Sequence, residues 1–221
     1  MYTGNLTKKT RENMCRAIVS LYAPGATIDL DNELTLRKLS LDHHPLWPII
    51  SEGGIDHLEV ALYEKYKTKH IRVVKPNGEK WPISYREGIY PPKGGLQEYA
   101  TEQIRHCCRE AIEPEVRQLL YNTEFPCICP IDGTVISNSS EAHVDHYDLT
   151  FDEVFKAWME NKDAITMFYT VIDWSFEHAG ERFCEERVRE NFIKFHDAHT
   201  HLRVVSRHAN LVTLKKKYES D

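Results

Sequence analysis

The hexapeptide Ala142-His143-Val144-Asp145-His146-Tyr147 constrains this chain more than any other stretch. It follows a turn-rich run, Phe125 to Ser137, in which Pro126, Pro130 and Asp132-Gly133 frame short strands, and it reads as a strand itself. Neighbouring residues of a strand point to opposite faces. Asp145 and His146 cannot share a task unless the strand ends there and twists. A strand end suits a division of labour in which the carboxylate holds a cation and the imidazole beside it acts as a base.

Around this stretch, helical and extended patterns alternate without repeats or low-complexity tracts. Residues 5–22 place Met14, Ala17, Ile18 and Leu21 at helical spacing behind Asn5 or Thr7 as cap, and Ala23-Pro24-Gly25 stops them. Ala26 to Leu30 predicts a short strand. Asp42-His43-His44, followed by Pro45 and Pro48, predicts a loop. Residues 55–66 predict a helix, with Ile55, Leu58, Val60, Ala61 and Leu62 as its apolar face. A hairpin follows: His70 to Lys75, the turn Pro76-Asn77-Gly78, then Lys80 to Ser84.

Residues 96–121 predict a helix bent at Pro114. Thr150 caps a helix that buries Phe151, Val154, Phe155 and Trp158. Residues 164–199 predict two helices interrupted near Gly180, then a strand at His201 to Ser206 and a helix at 207–218. The expected fold class is α+β. The run Pro91-Pro92-Lys93-Gly94-Gly95 divides an N-terminal accessory region, 1–92, from a C-terminal region, 93–221, carrying a helical insertion at about 148–199.

A chain of 221 residues can bury a core of its own. No apolar run reaches the length of a membrane helix, and the N-terminus lacks the apolar segment of a secretory signal, so no membrane partner is expected. Cys107-Cys108 and Cys127-x-Cys129 lack the spacing of a disulfide framework, which favours a reduced, cytoplasmic setting. A formal net charge of −6 excludes coating of nucleic acid by bulk electrostatics, but not nucleic acid as a substrate.

The two ends of the C-terminal region resemble the HNH, or ββα-metal, endonuclease superfamily. Asp145-His146 ends one strand. His201 opens a second, with the apolar run Leu202 to Val205 behind it. Asn210 follows nine residues after His201, with Lys215, Lys216 and Lys217 beyond. The resemblance implies a metal-dependent endonuclease, with DNA the favoured substrate. It casts Asp145 and Asn210 as ligands of Mg²⁺ or Mn²⁺, and an oxygen donor set suits such a hard cation. It makes His146 the base that activates water and His201 its orienting partner. Arg207 and the three lysines would meet backbone phosphates. A symmetric double-strand cut would require a homodimer.

The chain departs from the family in three ways. Fifty-four residues separate His146 from His201. The first pair of a four-cysteine zinc site is Cys127-x-Cys129, and the second is replaced by Ser206 and Ala209, so structural zinc is not expected. His201 stands where Asn is commonest. His199 and His208 are secondary candidates, as a further ligand and as part of a mixed site. The alternative reading is a non-catalytic nucleic-acid-binding or interaction module with structural histidines.

Overall fold

The computed structural model describes residues 6–63, 67–172 and 182–214, which form a mixed α+β chain. The described residues fall into two compact units, one running to Glu102 and one starting at Gln103. The division expected at 92/93 lies just ahead of the long helix in which this boundary falls.

In the first unit, helix α1 (Lys8–Ser20) starts behind Thr7, whose hydroxyl accepts the Thr10 N–H, and buries Cys15, Ile18 and Val19. Helix α2 (Leu30–Leu39) is capped in the same way by Asp29, and it begins where the strand expected over Ala26 to Leu30 was to end. Only the bridge Thr27↔Glu59 remains of that strand. A short helix α3 (Trp47–Ile50) follows. His44 is buried, with its Nε2 2.9 Å from Glu87 Oε2, so this histidine of the polar cluster at 42–44 is a satisfied structural group.

The expected helix over 55–66 is instead strand β1 (His57–Tyr63), antiparallel to β2 (Thr68–Val74), which pairs with β3 (Lys80–Ile83). Leu58, Val60 and Ala61 are all buried there. The opposite edge of β1 is bonded through Ile28 N–H to Leu58 O and Val60 N–H to Ala26 O. A strand covered on both faces and both edges loses its apolar–polar alternation and reads like a helix. The β2–β3 turn stands as expected, with Gly78 at φ +84 and its N–H bonded to Lys75 O. Helix α4 (Tyr85–Ile89) closes this unit ahead of α5 (Gly95–Asn122), which holds Pro114 within it.

The second unit contains the small hairpin β4 (Cys127–Ile128) and β5 (Val135–Ile136), then β6 (Ala142–His146). Helices α6 (Phe151–Met159), α7 (Ala164–Val171) and α8 (Glu186–His199) form the insertion, and Gly180 lies outside the described residues. Thr150 and Glu153 make a full capping box on α6. Strand β7 (Leu202–Ser206) returns antiparallel to β6, and a terminal segment, Ala209–Leu214, winds with π-type turns. Among the described residues no helix is long and apolar enough to cross a membrane.

Candidate functional site

The β6–β7 register pairs Ala142 with Ser206, His143 with Val205, Val144 with Val204, Asp145 with Arg203 and His146 with Leu202. Directly opposed residues project to one side of an antiparallel pair. One face therefore carries His143, Asp145, Arg203 and Val205, and the other carries Val144, His146, Leu202 and Val204. Pairing continues through His146, so the strand does not twist early enough to bring Asp145 and His146 onto one face.

On the first face Asp145 is 7% exposed. Its Oδ2 accepts from Arg203 Nε at 2.9 Å and lies 2.8 Å from Arg203 Nη2. Oδ1 has no hydrogen bond among the described residues. The guanidinium of Arg203 also sits 4.7 Å from the Tyr147 ring centre. Asn210 returns to this face from the terminal segment, and its Nδ2 donates to His143 Nδ1 at 3.0 Å. That bond uses the amide nitrogen and leaves the amide oxygen out of it. His143 lies two residues from Asp145, about 7 Å along a strand. The structure thus brings Asn210 to the Asp145 side of the ribbon, in contact with His143.

At the far end of the ribbon the four knuckle positions meet. Ser206 N–H donates to Cys129 Sγ at 3.2 Å, Ser206 Oγ–H to Asp132 Oδ2 at 2.8 Å, and Ala209 N–H to Ser206 Oγ at 3.0 Å. Cys129, Ile136, Ala142, Val205 and Ala209 form a buried cluster, with Cys127 packed against it. Hydrogen bonds from Cys129, Thr134 and Ser206 hold the Asp132 carboxyl below its ordinary range. Packing and hydrogen bonds fasten the turn of β4–β5 to the start of the terminal segment.

On the second face the imidazole of His146 packs edge-on against Phe151 and His196, and its Nε2 lies 3.1 Å from His196 Nε2. His196 comes from α8 and is fully buried. Its Nδ1 faces Asp197 Oδ1 at 3.4 Å and Glu115 Oε2 at 3.5 Å. Burial, then the charges of His196 and Arg109, push the His146 pKa down to about 4 against the pull of Asp152. His146 is therefore neutral at pH 7. Two carboxylates at His196 Nδ1 favour a proton there, which leaves His196 Nε2 to accept from His146 Nε2–H. The lone pair of His146 is then on Nδ1. Burial also raises the Glu115 carboxyl, with His196 lowering it and Asp197 raising it.

His201 is exposed and anchors the loop: its Nδ1 lies 2.6 Å from Asp148 Oδ2, and its carbonyl accepts from Tyr147 N–H. The partner of His146 is His196, one of four closely spaced histidines and not the one chosen from spacing. Its signal was its position four residues after Phe192 on the buried stripe of α8. His199 stacks on Phe195 with ring centres 4.0 Å apart and bonds the Phe195 carbonyl. Arg207 and His208 are exposed at the start of the terminal segment. Lys215, Lys216 and Lys217 lie outside the described residues.

No protein-family model matches the chain, and no curated protein does. Among solved structures it is similar to the solution NMR structure of an uncharacterized protein from Rhodospirillum rubrum. That likeness has 19% identity over 39% of this chain and 84% of the other, with a TM-score of 0.35, which carries no argument about fold or function.

Proposed function

We propose that the chain is a metal-dependent endonuclease of the HNH type that hydrolyses phosphodiester bonds, most favourably in DNA. The observation that carries the reading is the return of Asn210 to the β6 face bearing Asp145, within a strand–strand–helix order. Asp145 and Asn210 would hold a divalent cation. The donor set fits a hard cation that retains most of its waters: one carboxylate oxygen and one amide oxygen stand outside the bonds already made. Arg203 on Oδ2 orients the carboxylate, as partners of ligating carboxylates commonly do. A bound Mg²⁺ or Mn²⁺ supplies charge for the phosphate and the leaving oxygen.

His146 is the base, acting through Nδ1 at the ribbon end, and His196 holds its other nitrogen. His196 takes the orienting role first given to His201. Asp145 and His146 approach the scissile group from the two sides of the strand end. Arg207, exposed at the head of the terminal segment, meets backbone phosphate, as would the lysines that follow it in sequence.

Plasmid cleavage tests the reading. Cleavage is expected with Mg²⁺ or Mn²⁺ and should fall about 10²–10⁴-fold in His146→Ala. No cleavage with Mg²⁺, Mn²⁺ or Ni²⁺ would leave a nucleic-acid-binding or interaction module with structural histidines. Cleavage that survives His146→Ala would reject the base while keeping the activity.

A further inference from the structure

On the second face of the ribbon the proposed reaction uses only the Nε2 side of His196 and leaves its Nδ1 and the two carboxylates facing it free for another task. Glu115 comes from α5, and His196 and Asp197 come from α8. Their ligand atoms all lie within 4.8 Å of one another. The imidazole of His196 has no exposed surface, while both carboxylates are partly open to solvent. A groove of about 360 Å³ lies beside them, lined by Glu115, Asp197, Thr200 and His201 among others.

We propose that Glu115, His196 and Asp197 form a binding site for a divalent transition cation of the zinc class, with an open coordination position toward this groove. The spacing is the first argument. Charge-assisted N–H···O bonds close to about 2.7–2.9 Å. His196 Nδ1 instead stands off at 3.4 and 3.5 Å from its two carboxylate neighbours. Four ligands at about 2.1 Å around a tetrahedral ion are separated by about 3.4 Å, the edge of that tetrahedron.

The second argument is the aim of the buried ring. Its far nitrogen is fixed at 3.1 Å from His146 Nε2, which turns Nδ1 toward the carboxylates. A metal-ligating histidine commonly engages its other ring nitrogen with a protein group, and that partner fixes the ring's orientation. With a cation on Nδ1, the His196 proton sits on Nε2 and is donated to His146 Nε2, the reverse of the metal-free arrangement; His146 then carries its own proton on Nδ1 and is not a base while the cation is bound. The donor set is one imidazole and two carboxylates. Imidazole selects for zinc-like ions over Mg²⁺ and Ca²⁺. Three protein ligands with a fourth position open resemble a reactive zinc site more than a closed structural one.

Cobalt(II) is the probe, because its visible absorption reports four-coordination and sulfur ligation adds a separate charge-transfer band. The full chain, stripped with a chelator and checked for folding by circular dichroism, is titrated with Co²⁺. One equivalent should bind with the intense absorption of four-coordination, free of the sulfur band and distinct from weakly absorbing six-coordinate Co²⁺ at Asp145 and Asn210, and Zn²⁺ should displace it. The double variant Glu115→Gln/Asp197→Asn changes only exposed groups and should bind at least tenfold more weakly. Asp145→Asn removes the carboxylate on which the nuclease reading rests and should bind Co²⁺ within twofold of the unaltered chain. Failure of the cleavage reading therefore leaves this proposal standing. Three results would overturn it: no binding by the folded chain, a sulfur charge-transfer band, or binding indifferent to the double variant.

Discussion

Glu59–Arg72 in the N-terminal sheet and Asp145–Arg203 in the β6–β7 ribbon are the same construction. Each sets a carboxylate directly opposite a guanidinium across an antiparallel pair. Both carboxylates are nearly buried, at 6% and 7% exposure. They differ in how completely they are used. Arg72 Nη2 meets Glu59 Oε1 at 2.7 Å, and Lys80 from the third strand donates to both oxygens at 3.0 and 3.1 Å. Among the described residues the ribbon has no third strand. Arg203 takes Oδ2 alone, and the polar groups beside Asp145 on that face are His143 and Asn210. A buried carboxylate with both oxygens engaged serves the sheet, whereas one with a spare oxygen can still accept a cation. The same motif thus becomes structural or available according to whether another strand covers it.

Neutralising each acid should break this comparison if it is wrong. Glu59→Gln leaves two cations around a neutral side chain and should cost about 3 kcal/mol of stability, read from urea unfolding, with cleavage by the folded fraction unchanged. Asp145→Asn should cost less stability, yet reduce Mg²⁺-dependent cleavage at least about 100-fold. Equal stability losses with cleavage intact would make both pairs structural.

Arginine removal sharpens the difference. Arg203→Met leaves the Asp145 carboxylate without its counter-charge and should destabilise the chain by about 2–3 kcal/mol in chelator. Mg²⁺ at tenfold its dissociation constant should restore about 1.4 kcal/mol. Arg72→Met should show no such rescue. A melt of Arg203→Met that is indifferent to Mg²⁺ would remove Asp145 as a ligand.

The smallest effect is a pH dependence to which the N-terminal sheet contributes through His70. His70 on β2 has a buried Nδ1 with no partner among the described residues. Burial, then Arg72, push its pKa down to about 4, with Glu59 opposing them. The neutral form is favoured in the folded chain, so its contribution is present above about pH 6.5. It is lost as pH falls toward 4, because the unfolded chain takes up the proton first. The loss should be about 1–2 kcal/mol, discounted for partial exposure. His70→Leu should reduce the slope of the denaturation midpoint across that window, leaving the share carried by His146, whose pKa is likewise pushed down to about 4. A slope unchanged in this variant would place the dependence on other groups.

Local chemistry made part of this molecule readable in advance. The Thr7 cap of α1, the Thr150 cap of α6 and the Pro76-Asn77-Gly78 turn each involve residues a few positions apart. Their geometry is set by backbone torsions and short-range hydrogen bonds, which spacing records. The β6 segment was legible from its place behind a turn-rich run and β7 from its apolar run.

Other features were decided only by the tertiary structure. Residues 57–63 form a strand because Ala26 to Ile28 and β2 occupy their two edges, a long-range fact that an apolar run does not carry. His196 partners His146 from 50 residues away in sequence. The insertion folds α8 against that face, and the spacing of four nearby histidines could not choose among them. The sequence by itself determined that Asp145 and His146 would sit side by side on a strand. Whether they share a face depended on where pairing stops, and pairing runs through His146 to Leu202. Cross-strand hydrogen bonding kept the strand regular through His146 and so held Asp145 and His146, adjacent in sequence, to opposite faces.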